Sequence, residues 1–162
     1  GTTNGAKDSH DITLTGAVPG VEGLNVGVGY SKRNYDYKAG GIDNTRHDGT
    51  AYATYAYGPV TIGYQVGAQG DSGGGTQAYK NTYMGISYAI SDDLSIAYNN
   101  TESYKLGGKQ NSVGLVQEWD NISLAYSMGG MTIGVSDSDC SNCSYTSGKT
   151  EDETVLNLTI AF

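Results

Sequence analysis

The sequence predicts an all-β chain of about nine antiparallel strands that forms part of a transmembrane β-barrel. Three observations predict this. Apolar residues alternate with small or neutral polar ones at period two along most of the 162 residues. Turn residues interrupt the alternation regularly, and short turns take turns with longer polar connections. Glycine reaches 25 residues against only 2 prolines, about twice the usual glycine share, which suits turns and close backbone approach and weakens helices.

The strands are expected at 12–18, 24–35, 49–57, 60–69, 78–90, 94–104, 111–127, 131–137 and 152–162. In the second, Leu24, Val26, Val28 and Tyr30 share one face, while Asn25, Gly27, Gly29 and Ser31 share the other. After Tyr57-Gly58-Pro59 the pattern returns, with Val60, Ile62, Tyr64 and Val66 set against Thr61, Gly63, Gln65 and Gly67. Leu94, Ile96 and Tyr98 oppose Ser95, Ala97 and Asn99, and Met131, Ile133 and Val135 oppose Thr132, Gly134 and Ser136. At the end, Leu156, Leu158, Ile160 and Phe162 oppose Val155, Asn157, Thr159 and Ala161. The 111–127 stretch changes parity, from Val113, Leu115 and Trp119 to Ile122, Leu124 and Tyr126. A β-bulge near Asp120-Asn121, or a turn there, would reconcile the two halves.

Short turns are expected at Pro19–Gly23, Gly58-Pro59, Ser91–Asp93 and Gly129-Gly130, and longer connections at 36–48, 70–77, 105–110 and 138–151. Short turns on one rim and long loops on the other are the habit of transmembrane barrels. The last strand runs to the short-turn rim. An odd count starting on the loop side leaves at least one upstream strand missing, so the chain is expected to be an incomplete barrel. It does not begin with Met and shows no signal peptide, and so reads as a mature segment or a fragment.

A soluble sheet also alternates, with one face on a core. Two features favour a membrane instead. The polar parity is rich in Gly, Ser, Thr, Asn and Gln but poor in the Lys and Glu that protect exposed soluble strands. Tyr30, Tyr57, Tyr88, Tyr98 and Tyr126 share the apolar parity near strand ends, where aromatic girdles form. No run of about 18 apolar residues exists for a transmembrane helix. The mean hydropathy of -0.41 suits strands with one wet face. A net charge of -8 with nine scattered basic residues supplies no stripe for nucleic acid.

The final strand, Glu153–Phe162, ends in Phe162 with Ile160, Leu158 and Leu156 at alternate positions. It resembles the terminal strand of Gram-negative outer-membrane proteins, which the barrel-assembly machinery reads. The Tyr126–Ile133 hairpin, the Pro19–Leu24 turn and the Ser91–Leu94 turn look like periplasmic turns of general diffusion porins. The resemblance is one of pattern over nearly the whole chain. It implies an outer-membrane barrel of about sixteen strands, usually trimeric, of which this is roughly the last nine. The family's constricting inward-folded loop would lie outside this segment.

On that basis Leu24, Val26, Val28, Val60, Ile62, Leu94, Ile96, Leu156, Leu158 and Ile160 are expected to face lipid, with Phe162 joining the tyrosine girdle. Thr61, Gln65, Ser95, Asn99, Asn157 and Thr159 would line a water-filled pore, with Arg33 as a charged wall residue or a solvated loop-base arginine. The expected function is passive diffusion of small hydrophilic solutes. A barrel that anchors or secretes an adhesin-type passenger is the alternative.

Cys140 and Cys143 could be half a metal site, a redox motif or a loop disulfide. A lone CxxC is weak evidence for zinc and lacks the helix start of a redox motif. In an oxidising envelope a local disulfide closing the last long loop is expected. Asp137, Asp139, Glu151, Asp152 and Glu153 crowd the base of that loop. A solvated acidic rim is expected there, with a divalent cation or cation-bridged lipopolysaccharide as the other option. His10-Asp11 and His47-Asp48 show no positioned nucleophile or oxyanion donors, so no catalysis is expected.

Overall fold

The computed structural model describes residues 6–37, 42–72, 78–106 and 114–160. Nine strands follow one another along the chain: β1 Ala6–Ala17, β2 Leu24–Tyr37, β3 Ile42–Tyr57, β4 Val60–Ser72, β5 Ala78–Ala89, β6 Leu94–Leu106, β7 Val116–Met128, β8 Met131–Ser141 and β9 Thr150–Ile160. Each pairs antiparallel with the next in a single meander, in spatial order β1 to β9. A short 3₁₀ turn, Cys143–Tyr145, is the one helical element among the described residues. No ladder joins β1 to β9 among those residues, so the sheet is open. The fold is therefore all-β, a single open antiparallel sheet consistent with part of a barrel.

Every expected strand is present, and the differences lie at the ends. On the long-connection side β2 runs on to Tyr37, β3 begins at Ile42, β4 reaches Ser72 and β8 reaches Ser141. The ladder continues there through pairs such as Arg33 with Arg46 and Asp48 with Gln69. Around these pairs, with Lys32 opposite His47 and Asn34 opposite Thr45, both faces carry polar residues, so alternation vanishes while backbone pairing persists. The β2–β3, β4–β5 and β8–β9 connections are correspondingly shorter than the sequence suggests, whereas the β6–β7 connection is longer, because β7 begins at Val116.

β7 corrects the expectation of a bulge or a turn near Asp120-Asn121. The strand starts at Val116 and passes through this point without a shift of register. Asn100 faces Asp120 and Asn99 faces Asn121 on one side, while Asp139 and Ser138 face them on the other. Leu115 lies outside the strand, and Val113 lies outside the described residues. Trp119 simply belongs to the polar parity. Its presence there, not an inserted residue, produced the apparent change of phase.

The short turns follow from backbone chemistry. Met128 pairs with Met131 across Gly129 and Gly130, whose φ values of 56° and 84° are those of a two-residue hairpin with both central residues left-handed. Gly23 adopts φ 80°, and a β-carbon on it would stand 2.1 Å from the carbonyl oxygen of Ala56. Its own carbonyl accepts the N–H of Ala56 at 3.0 Å, which fastens the β1–β2 turn to β3.

The sheet is a single layer. Soluble domains bury one layer against another, yet the buried hydrophobic residues among those described are Cys140 and Cys143. The accessible surface is 10922 Å² for a 17.0 kDa chain, against about 7,700 Å² expected of a folded soluble monomer of that mass.

Candidate functional site

Strand alternation divides the sheet into two faces of different chemistry. On one face Tyr55, Ile62, Ile86, Tyr98 and Ile122 stand in register across five strands. The neighbouring row runs Tyr57, Val60, Tyr88, Ile96 and Leu124. Leu24, Val26 and Val28 extend this band over β2, and Leu94, Leu156, Leu158 and Ile160 carry it over β6 and β9. Val26 is 40%, Ile62 47% and Leu158 59% exposed; Ile96 is half-buried. These residues do not meet in an interior. Along β4 the band runs from Val60 to Val66, about 20 Å at the rise of a strand.

Tyr57, Tyr88 and Tyr126 close the band at the short-turn ends of β3, β5 and β7. At the opposite margin the Tyr30 hydroxyl lies 2.6 Å from Nδ1 of His47, and Tyr98 donates to the carboxylate of Asp120. Beyond these tyrosines the same face becomes polar. Asn100 donates to Glu118 at 2.9 Å and to Asp120 at 3.0 Å, and Tyr104 donates to Glu102 at 3.1 Å. Phe162 lies outside the described residues.

The other face carries Thr61, Gln65, Ser95, Asn99, Asn157 and Thr159, as their parity requires. Gln65 donates to Thr50 at 3.1 Å, and Asn121 donates to Ser138 at 2.8 Å. Arg33 is exposed on this face near the loop rim, directly opposite Arg46, whose Nε lies 3.1 Å from Asp48. Glycines make room on this face. A β-carbon on Gly27 would stand 2.2 Å from the Tyr52 ring, and one on Gly85 would stand 2.7 Å from Oδ1 of Asn99.

In β8 burial is inverted between the faces. The apolar Ile133 and Val135 are exposed, while Thr132, Gly134, Ser136 and Ser138 of the polar parity are half-buried. A water-soluble sheet buries the opposite set.

In one row of the polar face the aromatic members were not anticipated from sequence. Tyr52, Gln65, Tyr83, Thr101, Trp119 and Cys140 are successive cross-strand partners. Tyr52 could have been placed by its parity with Thr50 and Thr54. Trp119 was obscured by Leu115, which lies outside β7, and by Val113, which lies outside the described residues.

Cys140 and Cys143 form a disulfide, with Cα atoms 5.8 Å apart. The acidic cluster of the sequence is divided by the strands: Asp137, Asp139 and Asp152 fall on the apolar parity, and Glu151 and Glu153 on the polar one. Asp137 accepts a hydrogen bond from Thr154 at 2.6 Å, and Lys149 pairs with Glu151. Among the described residues no three His, Cys, Asp or Glu side chains stand together as metal ligands. His47 and Asp48, like His10 and Asp11, fall on opposite faces.

The two faces and the disulfide define a single-layered, two-faced β-sheet protein. No family model matches the chain, and no curated protein or solved structure matches it.

Proposed function

We propose that this sheet is part of the wall of an outer-membrane β-barrel that passes small hydrophilic solutes by passive diffusion. The inverted burial carries the proposal. Apolar patches beyond a few hundred Å² are rarely left to water on a soluble monomer, but a barrel wall needs an outward apolar band about 25 Å tall with aromatic margins. Hydrocarbon also demands that every backbone group be paired. The free edges of β1 and β9 must therefore meet further strands, and about sixteen in all is the proposed total.

Function on this proposal requires no covalent chemistry. Thr61, Gln65, Ser95, Asn99, Asn157 and Thr159 offer neutral donors and acceptors to water in the lumen. Arg33, Arg46 and Asp48 add fixed charge near the loop rim, where it biases which ions enter. The proposed partners are membrane lipid and lipopolysaccharide around the band, two further copies in a trimer, and the barrel-assembly machinery at the C-terminal strand.

Planar-bilayer recording of the full-length protein tests this directly. Stepwise, ohmic conductance is expected, together with uptake of small sugars by loaded vesicles. A flat trace under voltage with correctly folded, detergent-extracted protein removes the channel.

A further inference from the structure

The β8–β9 connection does not stand up from the rim; it lies down across the polar face. Its path is set by directed contacts over three successive strands. Over β7, Asn142 donates through Nδ2 to the carbonyl of Val116 at 2.9 Å, and the Ser144 N–H donates to the side-chain oxygen of Gln117 at 2.9 Å. Over β6, the Tyr145 hydroxyl lies 2.6 Å from that of Ser103, and the Lys105 ammonium stands 5.6 Å from the centre of the Tyr145 ring. Over β5, the Tyr79 and Tyr145 rings are 5.8 Å apart. From β8 to β5 the loop spans three inter-strand spacings, about 14 Å.

The loop is also fixed internally. The disulfide joins its first residues to the end of β8, and both cysteines are almost fully buried. The Gly148 N–H donates to Oδ1 of Asn142 at 3.0 Å. Asn142, Ser144 and Tyr145 all take positive φ, between 52° and 57°. Non-glycine residues persist in that region only where surrounding contacts over-determine them.

We propose that this loop is a permanent strap that narrows the channel mouth, with Tyr145 as its tip and the Cys140–Cys143 bridge as its anchor. Ser103 and Lys105 lie near the loop-side end of β6, so the strap sits at the entrance rather than at mid-membrane. Solutes would pass between the Tyr145–Lys105 contact and the opposite wall. Width at this point sets a size limit, and the Lys105 ammonium adds a positive charge to it. This inference rests on the channel proposed above.

Two readouts test it. Tyr145→Ala, and separately the double change Cys140→Ser with Cys143→Ser, are expected to raise single-channel conductance at least roughly 1.5-fold and to admit larger sugars. Tyr145→Phe retains the bulk of the strap and is expected to conduct close to the original. The second readout is independent of conduction. Trp119 is the single tryptophan and sits directly opposite Cys140 on the polar face. Acrylamide quenching of its fluorescence should rise in the two opening variants and not in Tyr145→Phe. Conducting variants with unchanged conductance overturn the strap and leave the channel standing, whether or not quenching rises. A protein that conducts in no form removes the channel and this inference together.

Discussion

Tyr52 lies across Gly27. The two are direct cross-strand partners on the polar face, and a β-carbon on Gly27 would come within 2.2 Å of the Tyr52 ring. On this side of β3 the ring occupies the space that a side chain at position 27 would fill. The pair should therefore behave as a unit. Gly27→Ala displaces the ring, and Tyr52→Ala removes what the missing side chain accommodates. In urea titrations of folding into vesicles the two changes together should depart from additivity by about 0.5 kcal/mol or more. Strict additivity would mean that the ring makes no use of the gap.

Gly23 and Gly58 both have positive φ, yet they should differ sharply in tolerance. At Gly23 a β-carbon meets the Ala56 carbonyl oxygen at 2.1 Å, whereas at Gly58 nothing lies within 4 Å. Gly23→Ala is expected to destabilise by more than about 2 kcal/mol, because backbone strain and a backbone clash coincide. Gly58→Asn, a residue that visits the left-handed region readily, should change stability by less than about 1 kcal/mol. Thermal unfolding followed by circular dichroism would show the ranking, and a reversed order would contradict this description of the turns.

The assignment of faces can be probed with one charge placed twice on β4. Ile62 and Gln65 lie three residues apart on opposite faces. Ile62→Lys is expected to lower folding stability in bilayers by about 2–4 kcal/mol, as a charge near the hydrocarbon midplane does. Gln65→Lys should be nearly neutral for folding and instead alter conductance. Equal penalties at both positions would refute a lipid face distinct from a water face.

Selectivity offers a comparison between neighbours. Lys32 and Arg33 are adjacent in β2 but face opposite ways, Lys32 opposite His47 and Arg33 opposite Arg46. Arg33→Glu should move the reversal potential in a salt gradient towards cation preference. Lys32→Glu makes the same change of charge on the opposite face and should leave the potential almost unmoved in about 0.15 M salt, where screening extends about 8 Å. Matching shifts from the two variants would place the conduction path elsewhere.

Much of this was legible in the sequence. Residues such as Val26, Ile62, Ile96 and Leu158 announced their common face through period two, because a strand sends successive side chains to opposite sides whatever surrounds it. The pairing of the two cysteines was likewise within reach of their spacing and the absence of other ligands. Strand ends towards the loop rim were not legible, since pairs such as Arg33 with Arg46 continue the ladder where neither face is apolar. Trp119 misled for the opposite reason: its bulk reads as apolar, but its position in β7 is set by register.

The amino-acid order alone determined the strands, their two faces and the places where the chain must turn, because alternation and glycine placement are local properties of the backbone. Only the tertiary arrangement decided which residues meet across strands. It brought Tyr52 over Gly27, laid Trp119 beside Cys140, and carried Tyr145 back 42 residues to Ser103. Contacts of that range depend on register and on how a loop folds over the sheet, and no local pattern encodes either.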